Sequence, residues 1–230
     1  MKYSPPLKQA VLLRRYKRFL ADVILDGQEL TVHCANTGSM THCVVEGSPC
    51  WLWDSQNDKR KYRYTWELAT TTSGAIAGIN TGRANTLVEE AISAGRIAPL
   101  AHYQNHKREV KVGSSRIDFV LSGGGPECYL EVKSVTLGVG GGLGLFPDTK
   151  SERATKHLKE LVQLKQEGKR AVLLFCVQHT AIDRVEAAKD IDPVYASTLA
   201  QARLNGVEVL AYRCDISSEE NRLMRAIEVL

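Results

Sequence analysis

The chain lacks any long apolar run. No stretch approaches the roughly 18 to 20 apolar residues that a membrane-spanning helix requires, and Arg14 and Arg15 interrupt the apolar stretch near the N-terminus. We therefore expect neither a membrane span nor a signal peptide. The six cysteines show no CxxC spacing, which argues against a zinc ribbon. Cysteines inside apolar segments are typical of reduced, buried thiols, and we expect a cytoplasmic location.

The chain also has little excess of either sign of charge. The net charge of the 230 residues is only +4, and the contents of 43% hydrophobic and 24% charged residues are those of an ordinary globular protein with one large or two small domains. Residues 1–82 carry ten Lys/Arg against seven Asp/Glu, whereas residues 83–230 carry twenty against nineteen. Most of the basic excess therefore belongs to the first third of the chain.

Two basic clusters account for this excess. Their candidate nucleic-acid contacts are Arg14, Arg15, Lys17 and Arg18 in the first, and Lys59, Arg60, Lys61, Arg63 and Trp66 in the second. Cations interleaved with tyrosine and tryptophan suit distorted or single nucleic-acid strands, because cations pair with phosphates and rings stack on bases. The alternative is a basic strand face with half-buried aromatic residues, which the alternation in the second cluster also permits.

Residues 1–82 are expected to form a small OB-fold-like β-barrel, a candidate nucleic-acid-binding domain. Short alternating segments separated by Gly, Ser and Asn predict strands, and Asp26-Gly27 predicts a hairpin turn. Five short strands in about 70 residues suit such a barrel. The predicted strands are 19–25, 29–34, 49–54, 62–70 and 75–80.

The pattern changes after residue 82, and residues 83–230 are expected to form a mixed-sheet α/β domain, giving an α+β protein overall. Asn85 is predicted to cap a first helix, 86–94, which Gly95 ends. The remaining predicted elements are strands 109–112, 116–121 and 129–135, helix 150–167, strand 170–178, helix 193–205 and strand 207–212.

Asp118 and the segment Glu131-Val132-Lys133 are the most informative pattern. They lie on two predicted strands joined by a glycine–proline break, and side chains two apart on a strand share a face. Two acids and a lysine in one pocket suit Mg²⁺ or Mn²⁺, which bind carboxylate oxygens and leave positions for water and phosphate. The pattern therefore gives a nuclease hypothesis. The alternative is that these charges are ordinary surface pairs on a hairpin.

The chain resembles the sugar fermentation stimulation protein A family along essentially its whole length. The matching segments in the first domain are Ser4-Pro5-Pro6-Leu7, Lys17-Arg18-Phe19-Leu20-Ala21, Asn36-Thr37-Gly38-Ser39-Met40, Lys59-Arg60-Lys61 and Tyr64-Thr65-Trp66-Glu67-Leu68. Those in the second are Ser115-Arg116-Ile117-Asp118-Phe119, the segment from Glu131 to Leu137, Phe146-Pro147-Asp148, Lys156-His157-Leu158 and the segment from Gly206 to Tyr212. The resemblance implies an OB-type barrel followed by a PD-(D/E)XK nuclease-like domain.

The resemblance also implies roles for individual residues. Asp118 and Glu131 would bind the cation with the Val132 carbonyl as a third ligand, and Lys133 would orient water. A further acid from the first helix would complete the catalytic set; Glu89 or Glu90 could supply it, and the family pattern favours Glu90. Residues that could contact nucleic acid in this domain are Arg116, Arg153, Lys156 and His157, although a solvated helix face is the alternative for the last three.

Three functions remain open from the sequence. The family is described as DNA-binding, with a proposed role in regulating sugar, notably maltose, metabolism, and we expect DNA binding with a nuclease-like Mg²⁺ or Mn²⁺ site. The first alternative is an active metal-dependent nuclease or phosphodiesterase on DNA or RNA. The second is an interaction module without a nucleic-acid role. Oligomeric state does not follow from the sequence.

Overall fold

The structure is a computed structural model that describes residues 1–113 and 115–230. Its first part is built from short strands around one apolar core that includes Leu12, Val23, Val32, Leu52 and Trp66. The strands are β1 (Lys8–Tyr16), β2 (Leu20–Leu25), β3 (Gln28–Cys34), β4 (Pro49–Asp54), β5 (Tyr64–Thr70) and β6 (Ile76–Gly78). The sheet order is β3-β2-β1-β4-β5, and β3 pairs with β5 in parallel, so these strands close into a barrel of OB type.

The predicted barrel is confirmed, but two strands of this sheet differ from the prediction. β1 was not predicted as a strand, because its basic residues obscure the alternation. Ala10 and Leu12 point into the core while Gln9 and Val11 are exposed, and a bulge follows Leu12. The predicted strand 75–80 is shortened to β6, which pairs in this sheet with β5 alone, as far as the described residues show, and lies outside the closed ring.

The second part is a mixed sheet flanked by helices. Its elements are α1 (Arg83–Ser93), a 3₁₀ turn (Ala98–Leu100), β7 (Asn105–Val112), β8 (Ser115–Ser122), β9 (Cys128–Val135), β10 (Leu137–Gly138), β11 (Leu143–Phe146), α2 (Glu152–Gln166), β12 (Arg170–Val177), β13 (Arg184–Ala187), α3 (Pro193–Leu204), β14 (Glu208–Ile216) and β15 (Asn221–Val229). In the described residues the sheet order is β10-β11-β13-β15-β14-β12-β9-β8-β7.

The helices cover both faces of this sheet, which explains the apolar run of its central strand. On β12, Val172 and Leu174 belong to the core formed with α1, whereas Leu173 and Phe175 belong to the core formed with α2 and α3. A strand that is buried on both faces has no polar side to alternate with. On β9, Leu130 and Val132 face the α1 core, so Glu131 and Lys133 point toward α2.

The first helix begins earlier than the sequence indicated. α1 begins at Arg83 after Gly82, which makes no side-chain cap, so the prediction that Asn85 caps the helix is wrong. The predicted apolar stripe of Leu87, Val88, Ala91 and Ile92 is buried and therefore confirmed. The strands β10, β11, β13 and β15 were missed, because they are short or carry many exposed polar residues.

The barrel docks onto the second domain through β6. Gly78 N donates to the Gln178 carbonyl at 2.9 Å, Thr180 N donates to the Ile76 carbonyl at 3.0 Å, and Ala77 forms a β-bridge with His179. These bonds extend the barrel edge onto the segment after β12. His179 is buried at this junction, and its Nδ1 accepts a hydrogen bond from Ala181 N at 3.1 Å. Burial lowers the pKa of His179 to about 4.

This buried histidine predicts a pH dependence of stability. Because its folded pKa of about 4 lies below the unfolded value of 6.5, the unfolded chain takes up the proton first as the pH falls. The neutral His179 therefore contributes about 3 kcal/mol to the free energy of unfolding. This contribution is fully present above pH 6.5 and is lost progressively as the pH falls from 6.5 to 4. Urea unfolding between pH 7 and 4 should therefore show a smaller loss of stability in His179→Asn, which keeps an acceptor for Ala181 N. An identical pH profile in the variant would contradict this role.

Candidate functional site

The acids Asp118 and Glu131 lie where two neighbouring strands separate. β8 and β9 pair in antiparallel register as far as Phe119 and Leu130, and the ladder ends there. Asp118 and Glu131 are the next residue on each strand, so their side chains flank the opening. Val132 N, one residue further, donates to Asp118 Oδ2 at 2.8 Å. The predicted hairpin thus brings the two acids together, and the separation of its strands creates room between them.

The strand is irregular at Asp118. Ile117 packs in the α2 and α3 core while Phe119 packs in the α1 core, so the usual two-residue alternation is interrupted between them. On the other side, β7 and β8 pair at Arg108–Phe119 and Val110–Ile117 but not at the position between, where Glu109 has a φ of +51°. A left-handed conformation at a non-glycine residue is strained, and such strain is common at functional sites.

Asp118 is held by two hydrogen-bond donors. Asn85 Nδ2 donates to its Oδ1 at 2.8 Å, and Val132 N donates to its Oδ2. Burial, followed by the negative charge of Glu131, raises the pKa of Asp118, although both donors and Lys133 oppose this effect. The two carboxylates therefore lie close enough to repel each other. A cation placed between them would relieve that repulsion.

Glu131 has one engaged oxygen and one free oxygen. Its Oε1 accepts from Lys133 Nζ at 2.5 Å and from His157 Nδ1 of α2. Burial alone would raise the pKa of Glu131, but the bond from His157 and the charge of Lys133 hold it below the usual value. Among the described residues, its buried Oε2 has no hydrogen-bond partner. A buried carboxylate oxygen without a donor is costly unless something else binds it.

The groups at this opening fit a hard divalent cation. Carboxylates of Asp118 and Glu131 are the oxygen ligands that such cations prefer. The N–H and C=O groups of one strand residue point toward the same neighbour, so the Val132 carbonyl faces the same opening as its N–H. Across residues 1–113 and 115–230 no cluster of three or more His, Cys, Asp or Glu side chains has metal-binding spacing. A cation here would therefore rely on these three groups and on water or phosphate.

Both domains line the cavity around the acids. Its volume is about 530 Å³, and its wall combines the barrel segment Asn36–Gly38, the connecting residues Thr81 and Gly82, the α1 residue Asn85, and Glu109, Asp118, Glu131, Lys133, Asp148 and Arg153 of the second domain. The side chain of Glu131 is only 2% exposed. The acids thus lie at the floor of an interdomain cavity. This position argues against the alternative that they are ordinary surface charge pairs on an exposed hairpin.

The predicted helix acid does not belong to this cavity. Glu90 is 41% exposed, and its Oε2 pairs with the Met1 amino group at 2.6 Å. Glu89 binds His106 at 3.1 Å and Arg108 at 3.0 Å on β7. The assignment of Glu90 as a site residue is therefore wrong, because the helix turns it toward the N-terminus. Asn85, one turn before Glu89, is the α1 residue that reaches Asp118.

The first basic cluster is only partly available to a ligand. Arg14 pairs with Asp22 at 2.8 Å, and Arg15 donates to three backbone carbonyls of the barrel. Lys17 and Arg18 are exposed in the β1–β2 turn beside Phe19, which is 47% exposed. Phe19 was not predicted to be a nucleic-acid contact. Its position in a turn, directly after two cations, was the feature of the sequence that could have indicated this role.

The second basic cluster is divided in the same way. Lys59, Arg60 and Lys61 are exposed in the β4–β5 loop, whereas Arg63 makes a two-bond contact with Asp54 at 2.8 and 2.9 Å. Trp66 is 0% exposed, and its Nε1 donates to the Leu68 carbonyl. The assignment of Trp66 as a nucleic-acid contact is therefore wrong, since a ring inside the barrel core cannot stack on a base.

Further exposed cations lie next to the cavity. Arg116 on β8 and Lys156 on α2 line a neighbouring depression with Lys111 and Arg153, and Arg153 and Glu109 also line the cavity of the acids. His157 was predicted as a possible phosphate contact, but it is buried against Glu131 instead. Its place on the inner face of α2, between Ala154 and Leu158, was the signal that it points inward.

Comparisons with known proteins agree with this architecture. The profile of the sugar fermentation stimulation protein RE domain matches residues 82–220, and that of the SfsA N-terminal OB domain matches residues 13–79. Sugar fermentation stimulation protein homologs from Teredinibacter turnerae and Saccharophagus degradans are 56% and 54% identical to the chain over 100% of both sequences. A homolog from Shewanella loihica is 54% identical over 100% of this chain and 99% of its own.

A solved structure is also similar along the full length. The structure of Pyrococcus furiosus SfsA in complex with Ca²⁺ superimposes with a TM-score of 0.90 at 28% identity, covering 100% of this chain and 98% of that one. No helix within the two described ranges is long and apolar enough to cross a membrane. The profiles, the relatives and the structural match together show that the chain belongs to the sugar fermentation stimulation protein family.

Proposed function

We propose that the protein binds DNA through the loops of its barrel and holds a divalent cation at Asp118 and Glu131. The observation that carries the proposal is the position of the exposed cations: Lys17 and Arg18 lie in the β1–β2 turn, and Lys59–Lys61 lie in the β4–β5 loop. These are the two loops with which OB-folds bind oligonucleotides. Phe19 adds an exposed ring for base stacking, which basic grooves on single strands commonly use.

The two loops approach each other at the end of β3, where His33 pairs with Leu20 of β2 and with Thr65 of β5. Cys34 N donates to the Phe19 carbonyl at 2.8 Å, so the β1–β2 turn lies beside the end of β3. His33, the preceding residue of β3, has its pKa lowered first by burial and then by the positive charge of Arg60 in the β4–β5 loop. Cations from both loops can therefore contact one nucleic-acid segment. Regulation of sugar metabolism, which the names of the relatives suggest, would act through such binding.

The cation proposal rests on the unpartnered Glu131 Oε2 and on the Asp118 carboxylate beside it. Mg²⁺, Mn²⁺ and Ca²⁺ all prefer such oxygen ligands, and the Pyrococcus relative forms a complex with Ca²⁺. When bound, the cation would supply positive charge to a phosphate oxygen and its bound water. Lys133, 2.5 Å from Glu131, would hold a phosphate or a water next to the cation.

A second candidate function is metal-dependent cleavage of DNA or RNA. The observation in its favour is that Asp118, Glu131 and Lys133, which the family resemblance matches to the acid, acid and lysine of the nuclease motif, line one cavity. A protein that only binds DNA on its barrel has no physical need for two neighbouring carboxylates, one half-buried and one buried, that repel each other. Binding is the broader proposal, and cleavage is an addition that requires the same cation.

Isothermal titration calorimetry with Mn²⁺ and with Ca²⁺ tests the proposed cation site. We expect binding to the wild-type chain, and a loss of at least about tenfold in affinity, 1.4 kcal/mol, in Asp118→Asn and in Glu131→Gln. Each variant keeps the shape of the side chain but removes the charge that attracts the cation. Glu90→Gln is the matched control, because Glu90 lies outside the cavity, and it should bind like wild type. Equal affinities in Asp118→Asn and wild type would end the proposal.

The salt dependence of DNA affinity tests the barrel loops. Replacing Lys59, Arg60 and Lys61 by Ala should weaken binding and reduce the slope of log affinity against log salt by about 2, because each phosphate contact on a single strand contributes roughly 0.7. Fluorescence anisotropy with a labelled oligonucleotide measures both effects. A variant with Ala at the exposed residues Lys159, Lys189 and Arg225 removes the same charge elsewhere and should keep a wild-type slope. Equal slopes in the two triple variants would refute the assignment.

A further inference from the structure

One guanidinium group connects the β1–β2 turn of the barrel to the rim of the cavity, which is the barrel segment Asn36–Gly38. Arg15 Nη2 donates to the Arg18 carbonyl at 2.8 Å, to the Asn36 carbonyl at 2.9 Å and to the Gly38 carbonyl at 2.9 Å. Arg18 belongs to the turn proposed above for DNA binding, while Asn36 and Gly38 line the cavity of the acids. The DNA-binding turn and the cavity are therefore adjacent and held at a fixed spacing.

The rim is also fastened from the opposite side. Ser39 Oγ donates to the Asp148 carbonyl at 2.8 Å, and Met40 N donates to Asp148 Oδ2 at 3.2 Å. Gly38 has no space for a side chain, since a Cβ there would lie 2.7 Å from Asp148 Oδ2. The barrel segment Asn36–Met40 is thus pressed against the second domain and cannot swing away without breaking these contacts.

The fixed rim limits what can reach the acids. A cavity of about 530 Å³ is of the size that takes small ligands, which bury most of their surface. A nucleotide unit fits such a space, whereas a duplex, whose major groove alone is roughly 12 Å wide, does not. Because the side chain of Glu131 is only 2% exposed at the floor of the cavity, a nucleic-acid phosphate can reach it only as part of a single strand.

We infer that the cavity receives a single nucleic-acid strand, led in from the barrel loops across Gly38, and excludes blunt duplex. The strand is a free single-stranded segment or an overhang that lies on Lys17, Arg18 and Phe19 and passes over the rim. Hydroxyl-bearing residues of the wall, such as Thr37, Thr81 and Ser134, offer hydrogen bonds to its sugar and phosphate groups. The inference rests on the proposed function and adds the class of nucleic acid that the site accepts.

Photo-crosslinking tests this inference without requiring cleavage. Benzoylphenylalanine in place of the exposed Thr37 sits at the rim, and a second full-length protein carries it in place of Val194 on α3, which is 61% exposed and lies outside the cavity. Three labelled substrates are compared in Ca²⁺: an oligonucleotide, its blunt duplex, and the duplex with a single-stranded overhang. We expect position 37 to capture the oligonucleotide and the overhang at least about tenfold better than the blunt duplex, and position 194 to capture none preferentially.

The outcomes separate this inference from the function on which it depends. Equal capture of blunt duplex and single strand at position 37, with DNA binding and Ca²⁺ binding intact, overturns the strand selection alone. Absence of DNA binding by anisotropy overturns both proposals. Capture at position 37 that falls when Lys59, Arg60 and Lys61 are replaced by Ala supports the path from the barrel loops to the cavity. Capture that is unchanged in that variant overturns the path.

Discussion

The structure of the site depends on two carboxylates, the half-buried Asp118 and the buried Glu131, that share one opening in a sheet. β8 and β9 separate after Phe119 and Leu130, and Asp118 and Glu131 flank the space that results. Burying like charges together is unfavourable, as the raised pKa of Asp118 reflects. The chain offsets this cost with donors from three elements: Asn85 on α1, Lys133 on β9 and His157 on α2. Among the residues that the structure describes, the buried oxygen Glu131 Oε2 is left without a hydrogen-bond partner.

The helices that cover both faces of the sheet also orient the two acids. The α1 face supplies the donor to Asp118, and the α2 face supplies the donor to Glu131, so each acid is oriented from its own side. Such outer contacts fix the geometry of a cation site as much as its ligands do. The irregularity between Ile117 and Phe119, together with the strained Glu109 opposite, aims Asp118 into the opening rather than into either core.

The barrel contributes position as well as charge. Its edge strand β6 bonds to the segment after β12, and its segment Asn36–Met40 closes one side of the cavity through Asp148. Arg15, which composition alone would assign to DNA binding, instead donates from Nη2 to the Arg18, Asn36 and Gly38 carbonyls within the barrel. Lys17, Arg18 and Lys59–Lys61 remain exposed in the β1–β2 turn and the β4–β5 loop. The β1–β2 turn and the cavity of the two acids, which the sequence presented as separate features, are thus linked in the folded chain through Arg15.

The sequence predicted the barrel, the mixed sheet and the meeting of Asp118, Glu131 and Lys133, because strand alternation and hairpin signals are local. It did not predict the contacts that depend on tertiary packing. Trp66 carries the same local pattern whether it faces a base or the core. The choice between Glu89 and Glu90 could not be made from helical geometry, and neither reaches the cavity, since α1 begins at Arg83 and directs Asn85 there instead. The role of Gly38 depends on Asp148, more than a hundred residues away in the chain.

Anomalous scattering from a crystal containing Mn²⁺ tests the central claim most directly. We expect an anomalous difference peak within about 2.0 to 2.6 Å of an oxygen of Asp118 and of Glu131 Oε2, the range of metal–oxygen bonds for such cations. The peak should be absent from crystals of Glu131→Gln. A peak at another site would contradict a cation site at Asp118 and Glu131. So would the absence of a peak at these carboxylates in a crystal in which Lys133 and His157 keep their contacts with Glu131.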